Sequence, residues 1–290
     1  MTSRPITIAV VAPSRPITKE IADAVRAAAQ TVAAEDAVEL RFHDQCFIEH
    51  GHFAGDDETR ARAFVEAAED PTVDAVWLAR GGYGAGRLPD TAFDPLTDVA
   101  REKTYVGYSD AGFILARLYA RGFPHLVHGP MAGDSARRNG AEATARTLRF
   151  LANKDAATLE GDLKDGETYA AFNVTVLAHL VGRADAPDLS GHILLLEDVD
   201  EYHYALDRAM GAIFTSRLAA SLKGVRLGRC AMKPNVERRN GVETEVRFGA
   251  TAEEIAAFWC ARAGAPYLGR ADIGHDADNK LVPFGVFKRA

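Results

Sequence analysis

Residues 103–119 read KTYVGYSDAGFILARLY. Thr104, Tyr105 and Val106 have the β-branched and aromatic character of a buried strand end, and from Ala111 onward Phe113, Ile114, Leu118 and Tyr119 recur at helical spacing. The period changes across residues 107–110, which predicts a sharp strand-to-helix corner carrying Ser109. Gly-Tyr-Ser-Asp-Ala is close to the Gly-x-Ser-x-Gly elbow, where such a corner lifts the hydroxyl clear of the chain and the next N–H faces a developing oxyanion. Ala111 stands where the last glycine would be. A serine at this place can equally be a plain N-cap for the following helix, so nucleophile and cap both stay open.

Upstream, residues 6–12 are a β-branched run, and Thr18 opens a helix with Ile21, Val25, Ala28 and Val32 on one face. Residues 38–42 form a second strand. Asp56 can cap a helix that turns Ala61, Phe64, Val65 and Ala68 inward, and residues 73–79 form a third strand. This alternation predicts a mostly parallel sheet flanked by helices, of Rossmann or flavodoxin type, with ligands gathered at the carboxyl ends of the strands. Two segments lie at such ends: the Ser109 corner and the loop RGGYGAGR at residues 80–87. Its four glycines in residues 81–86 let backbone N–H groups approach a ligand, and Arg80 and Arg87 bracket them, a pattern suited to a carboxylate or phosphate. The spacing is not that of a dinucleotide fingerprint. The plainer alternative is a tight turn with two solvated arginines.

Downstream, residues 126–127 lead to His128-Gly129-Pro130-Met131, and residues 141–151 read as a helix. The composition then shifts. NKDAATLEGDLKDGET, residues 153–168, is polar and acidic, the mark of a boundary, and predicts a first domain at 1–153, a linker at 154–168 and a smaller C-terminal α/β domain at 169–290. In that second domain residues 171–174 and 191–199 read as strands, the latter (GHILLLEDV) setting Glu197 and Asp198 at the end of a buried run. A helix follows at 202–214 and a strand at 225–232, Thr251 to Glu254 form a capping box, and residues 274–285 are a polar loop running into a short closing strand.

With 290 residues, 47% of them hydrophobic, the chain has enough apolar material for two medium domains. A net charge of −7 without a dense basic stripe argues against a nucleic-acid partner and for a small or peptide-like one. The first 14 residues read as a strand and not a signal peptide, no run approaches membrane-spanning length, and three scattered cysteines fit a reduced compartment; the expectation is a cytoplasmic protein. Of nine histidines, His43, His50 and His52 cluster beside Asp44, Glu49 and Cys46, but a His- and Asp-rich loop is more often solvated than metal-binding. If Ser109 is a nucleophile it needs a base and an orienting acid. His275 alone lies in a Gly-rich polar loop of the second domain able to reach a cleft; spacing does not decide among the histidines.

Taken together, VAPS, FAGDDETRARAFVEAAEDPTVDAVWLARGGYGAGRL, VGYSDAGFILARL, HGPM, GHILLLEDVDEYHYALDRAM and GHDADNKLVPFGV, in that order from about residue 8 to residue 286, resemble the LD-carboxypeptidase family of serine peptidases. That family includes muramoyltetrapeptide carboxypeptidases and microcin C7 self-immunity peptidases. The resemblance implies Ser109 as nucleophile, Glu197 as acid and His275 as base, shared between the two domains. It implies oxyanion donors from the Gly81 and Gly82 backbone and from Asp110, neither metal nor organic cofactor, and a homodimer. The implied reaction removes the terminal D-alanine from the L-centre of a murein tetrapeptide during cytoplasmic cell-wall recycling. Arg80 is the candidate for the free substrate carboxylate. One departure is visible: where the family usually has Gly-Gly-Asn or Gly-Asn-Leu near the substrate cleft, this chain has Ala171-Phe172-Asn173-Val174, keeping Asn173 alone. Two other readings are a serine peptidase cleaving aminoacyl- or peptidyl-nucleotide conjugates, which calls for an aromatic residue to stack the base, and a non-catalytic ligand-binding protein.

Overall fold

The computed structural model describes residues 4–32 and 37–289. The first part of the chain runs through β1 (Ile6–Val11), α1 (Lys19–Val32), β2 (Val38–Phe42), α2 (Asp57–Glu69), β3 (Ala75–Leu78), the short α3 (Asp98–Arg101), β4 (Thr104–Gly107), α4 (Gly112–Ala120), β5 (Leu126–His128) and α5 (Gly140–Asn153). It continues through β6 (Thr168–Asn173), α6 (Val174–Leu180), β7 (Ile193–Tyr202), α7 (His203–Phe214), β8 (Gly224–Lys233), β9 (Asn235–Arg239), β10 (Val242–Val246), α8 (Ala252–Ala263), β11 (Tyr267–Arg270), β12 (Val282–Pro283) and β13 (Gly285–Val286). Helix starts follow the expected chemistry. Asp56 accepts a hydrogen bond from the Thr59 N–H ahead of α2, and Thr251 and Glu254 close a capping box ahead of α8.

The larger sheet has the order β12-β5-β4-β3-β1-β2, parallel except for β12. Without β12 this is the 2-1-3-4-5 order of flavodoxin-like sheets, whose strand order reverses between β1 and β3. The loops leaving those two strands carry Ser14, Arg15 and the residues from Arg80 to Gly86, so the topology opens a crevice where the glycine-rich loop lies. The second sheet has the order β11-β8-β7-β6-β13, with β13 antiparallel to β6.

One apolar core runs through both sheets, from Val11 and Phe64 to Leu194 and Phe287. At their junction a Cβ on Gly112 would stand 3.2 Å from Val176 Cγ1 and 3.6 Å from Phe172 Cδ1, so the start of α4 packs directly on the β6–α6 corner. Residues 154–168 are not a loose tether: Thr158, Glu160 and Leu163 are buried, and the Arg226 guanidinium donates to Glu160 Oε2 at 2.8 Å. A few inward side chains suffice for this, and averaged composition hides them.

Two expectations are corrected, and one hairpin is added. The single closing strand is two, β12 on the first sheet and β13 on the second, because Gly285 turns the chain with a φ of 87°. Residues 171–174 do not stay extended: Asn173 Oδ1 accepts from the Val176 N–H and α6 begins at once. The added hairpin is β9–β10, whose second strand is largely exposed and lacks the in-out alternation that marks a strand in sequence.

Candidate active site

Tyr108 is extended at φ −157°, and Ser109 then turns to φ 58°, the left-handed region, before a single tight turn leads into α4. A non-glycine residue there costs about 1–2 kcal/mol, so the packing around it must hold it. It does. A Cβ on Gly107 would stand 3.0 Å from Ala111 Cβ, so both positions flanking the turn must stay small, which explains Ala111 as a substitute for glycine. Ser109 makes no capping bond to α4, so the plain N-cap reading does not hold.

The glycine-rich loop lies against this corner. A Cβ on Gly81 would approach Ser109 Oγ to 3.0 Å, and Gly82 and Gly84 have φ of 118° and 138°. Asp110 ties loop and corner together: its Oδ2 accepts from Ser14 Oγ at 2.5 Å and from the Ala85 N–H at 2.9 Å. Burial raises the Asp110 carboxyl above its ordinary value, although these bonds and Arg60 oppose the shift. The buried Arg60 donates to the carbonyls of Pro13 and Gly84 and pairs with Asp57. Arg87 also pairs with Asp57, at 2.9 Å, and its guanidinium lies over Phe53, so of the two arginines bracketing the loop only Arg80 reaches the cavity.

From the other sheet, Glu197 sits near the middle of β7, fully buried behind His275, whose Nδ1 is hydrogen bonded to Glu197 Oε2. The His275 side chain is 3% exposed, and among the described residues its Nε2 has no hydrogen-bond partner. Burial alone would lower this imidazole; the charge and hydrogen bond of Glu197 outweigh it and hold His275 above its ordinary value. The Tyr108 ring lies 4.7 Å from the imidazole at 49°. Nearby His128 is pushed down to about 4 by burial and stays neutral.

Ser109, Gly81, Gly82, Asp110, Arg80, Asn173 and His275 line one cavity of about 660 Å³ between the two sheets, with Glu197 outside it and behind the imidazole. Arg15, Arg80 and Arg137 line the cavity from the first sheet's side together with Asp110 and Asp134, while Asp198, Asp200 and Glu201 follow along β7. Burial, and then Arg15 and Arg137, lower the affinity of Arg80 for its proton, with Asp134 opposing them. Asn173 uses both ends of its amide inside the protein: Oδ1 caps α6 and Nδ2 donates to Asp198 Oδ1 at 2.8 Å. Asp198 also accepts from the Thr175 N–H and hydroxyl, and burial with the adjacent Glu197 charge pushes it up to about 6. Sequence reading assigns no role to Ser14, Arg60, Tyr108 and Arg137, since the contacts that tie each to the site reach 24 to 138 positions along the chain. Among the described residues no group of three or more His, Cys, Asp and Glu is placed to hold a metal.

Comparison with known proteins bears on this arrangement. The model described as the LD-carboxypeptidase N-terminal domain matches residues 8–129, and that of the LD-carboxypeptidase C-terminal domain matches residues 168–289. The murein tetrapeptide carboxypeptidase of Pseudomonas aeruginosa is 28% identical, over 98% of this chain and 96% of its own. Among solved structures, the muramoyltetrapeptide carboxypeptidase from Oxalobacter formigenes is similar in fold, with a TM-score of 0.73 at 24% identity over 96% of this chain and 93% of that one. So is the microcin C7 self-immunity protein MccF, with a TM-score of 0.75 at 16% identity over 98% and 92%.

Proposed function

The chain belongs to the LD-carboxypeptidase family, and on that premise we propose that it hydrolyses the amide bond joining the terminal D-alanine to an L-centre in murein tetrapeptides, with Ser109, His275 and Glu197 as its triad. The observation that carries this reading is Ser109 held in the left-handed region on the cavity wall, with the Glu197-bound His275 lining the same cavity.

The chemistry follows from the roles. His275 Nε2 takes the Ser109 proton as the hydroxyl oxygen attacks the amide carbonyl. Glu197 accepts from Nδ1–H, which sets the tautomer leaving Nε2 free as base and stabilises the imidazolium that forms. Backbone N–H groups of Gly81, Gly82 and Asp110 meet the tetrahedral oxyanion. The imidazolium then gives its proton to the departing alanine amine, and water repeats the sequence on the acyl-enzyme. Arg80 meets the carboxylate that makes the substrate a C-terminal one. Among the described residues no helix is long and apolar enough to cross a membrane; the reading places the reaction in cytoplasmic cell-wall recycling, and the family likeness is what suggests a homodimer.

A second reading, cleavage of aminoacyl- or peptidyl-nucleotide conjugates, draws on one observation. Just beyond Glu201 the rings of Tyr202 and Tyr204 stack at 5.4 Å and 8°, and Tyr204 is exposed, a surface on which a base could lie.

Mass spectrometry of a meso-diaminopimelate tetrapeptide incubated with the protein and with Ser109→Ala tests the choice. Loss of one alanine with the unmodified protein alone supports the first reading. An intact tetrapeptide, beside turnover of an aminoacyl-sulfamoyl nucleoside, overturns it for the second.

A further inference from the structure

The bond to Glu197 holds one nitrogen of His275 but leaves the loop that carries it free to slide relative to the Ser109 corner, which belongs to the other sheet. Three arginines restrain that loop. Arg229, on β8, pairs with Asp272 and, through two nitrogens at 2.5 and 2.8 Å, with Asp276. Arg146, on α5, donates to the carbonyls of Ala277 and Asn279 at 2.8 and 2.9 Å. Neither touches His275 itself. Arg137 differs, because its Nη1 donates to the carbonyl of His275 at 2.8 Å while its Nε pairs with Asp134 Oδ1 at 2.7 Å. That same Asp134 oxygen accepts from the Tyr108 hydroxyl at 3.0 Å, and Tyr108 directly precedes Ser109. The Tyr108 ring in turn lies against the His275 imidazole.

We propose that Arg137 is a positioning residue: with Asp134 and Tyr108 it braces the His275 loop of one sheet against the Ser109 corner of the other. The proposal rests on the triad reading above. The brace forms a closed circuit, Arg137 to His275, His275 to Tyr108, Tyr108 to Asp134 and back to Arg137, so removing one member loosens both reacting side chains together. A guanidinium at this place also opposes a second positive charge on the imidazole. The charged and titratable groups around that ring are Glu197 from β7, His128 from β5, Tyr108 and Asp134 from the first sheet's loops, Arg137, and Asp276 on its own loop.

The test uses Arg137→Ala, Arg137→Lys, Tyr108→Phe and the double variant Arg137→Ala/Tyr108→Phe in the full chain. It has two readouts: kcat and KM on the tetrapeptide, and the NMR titration midpoint of His275, assigned by difference with His275→Asn. Arg137→Ala is expected to lower kcat about 10²-fold, as a misplaced reacting group does, with a smaller change in KM, and to raise the His275 midpoint. Arg137→Lys restores the midpoint and part of kcat. Tyr108→Phe lowers kcat less, and the double variant falls little below Arg137→Ala because the members act as a unit.

A rise in KM with kcat unchanged makes Arg137 a substrate contact and overturns the proposal, as do an unchanged midpoint with unchanged kcat or additive losses. Should Arg137→Ala fail to fold, Arg137→Lys and Tyr108→Phe decide by the same readouts. If the unmodified protein turns over no tetrapeptide, the murein substrate reading fails; kcat and KM are then read on the aminoacyl-sulfamoyl nucleoside, and the titration still reports whether Arg137 acts on His275.

Discussion

Ser109 Oγ lies 3.0 Å from the point where the Cβ of an alanine at position 81 would stand. Gly81 is not in the left-handed region, so an alanine there meets no backbone strain, only the hydroxyl, the Ser109 Cβ at 3.1 Å and Met131 Cε at 3.3 Å. Gly81→Ala is therefore expected to lower kcat about 10²-fold by displacing the serine, with a thermal midpoint close to that of the unmodified protein. Full activity in this variant would show that the loop can retreat and that its closeness to Ser109 has no catalytic role.

His275 must be neutral to act as a base, and Glu197 holds it above its ordinary value. Activity is thus lost as pH falls through the raised value, and the acid limb of kcat/KM lies above pH ~6.5, the ordinary value for histidine. In Glu197→Gln the charge is gone while burial remains, so the limb moves to lower pH as the rate falls, about 10³- to 10⁴-fold by analogy with other triads. A limb that stays in place would separate Glu197 from the titrating base.

Arg80 lines the cavity, and among the described residues its side chain makes only a long hydrogen bond of 3.5 Å, to the Pro16 carbonyl. Arg80→Gln should raise KM about 10- to 100-fold, the worth of one charge-assisted hydrogen bond, and change kcat less. A tetrapeptide amidated at its C-terminus should be indifferent to the substitution. Equal losses on both substrates would remove Arg80 from carboxylate recognition.

Asp110 offers a test by stability. One oxygen, Oδ2, accepts from both Ser14 and Ala85, so Asp110→Asn can keep both bonds, whereas Asp110→Ala strands two buried donors at about 1–3 kcal/mol each. The folded carboxyl is raised above its unfolded value, so the folded state binds more protons between those two values. Its stabilising effect is present at low pH and is lost as pH rises through the folded value. Thermal melts should show Asp110→Asn at least as stable as the unmodified protein at pH ~7, the difference narrowing on acidification, and Asp110→Ala clearly less stable. Melts of Asp110→Asn matching those of Asp110→Ala would mean that the carboxylate charge itself holds the loop.

Much of the architecture was legible because the signals are local. The switch of period around Ser109, the strand-helix alternation before it and the caps at Asp56 and Thr251 each reside in a few consecutive residues, and backbone geometry answers to such stretches directly. Ser109 could be singled out as a candidate for the same reason, since it stands at a marked corner; Glu197 and His275 come only from the likeness of the ordered segments to the family, because spacing does not decide among the histidines.

What stayed hidden depends on partners far along the chain. Arg137 sits in ARRNGAE, just ahead of a helix, and nothing nearby shows that its guanidinium meets a carbonyl 138 positions away. Ser14 and Asp110 are 96 positions apart and one hydrogen bond apart. Arg87 and Arg80 look alike in sequence, yet Asp57 claims the first and the cavity receives the second. Local sequence sets backbone torsions and the periodicity of burial, and so was enough for the elements and for the serine corner. Which charges are neutralised, which polar groups are buried together and which side chains share a cavity are settled by distance in space, and only the packing of one sheet on the other brings those distances about.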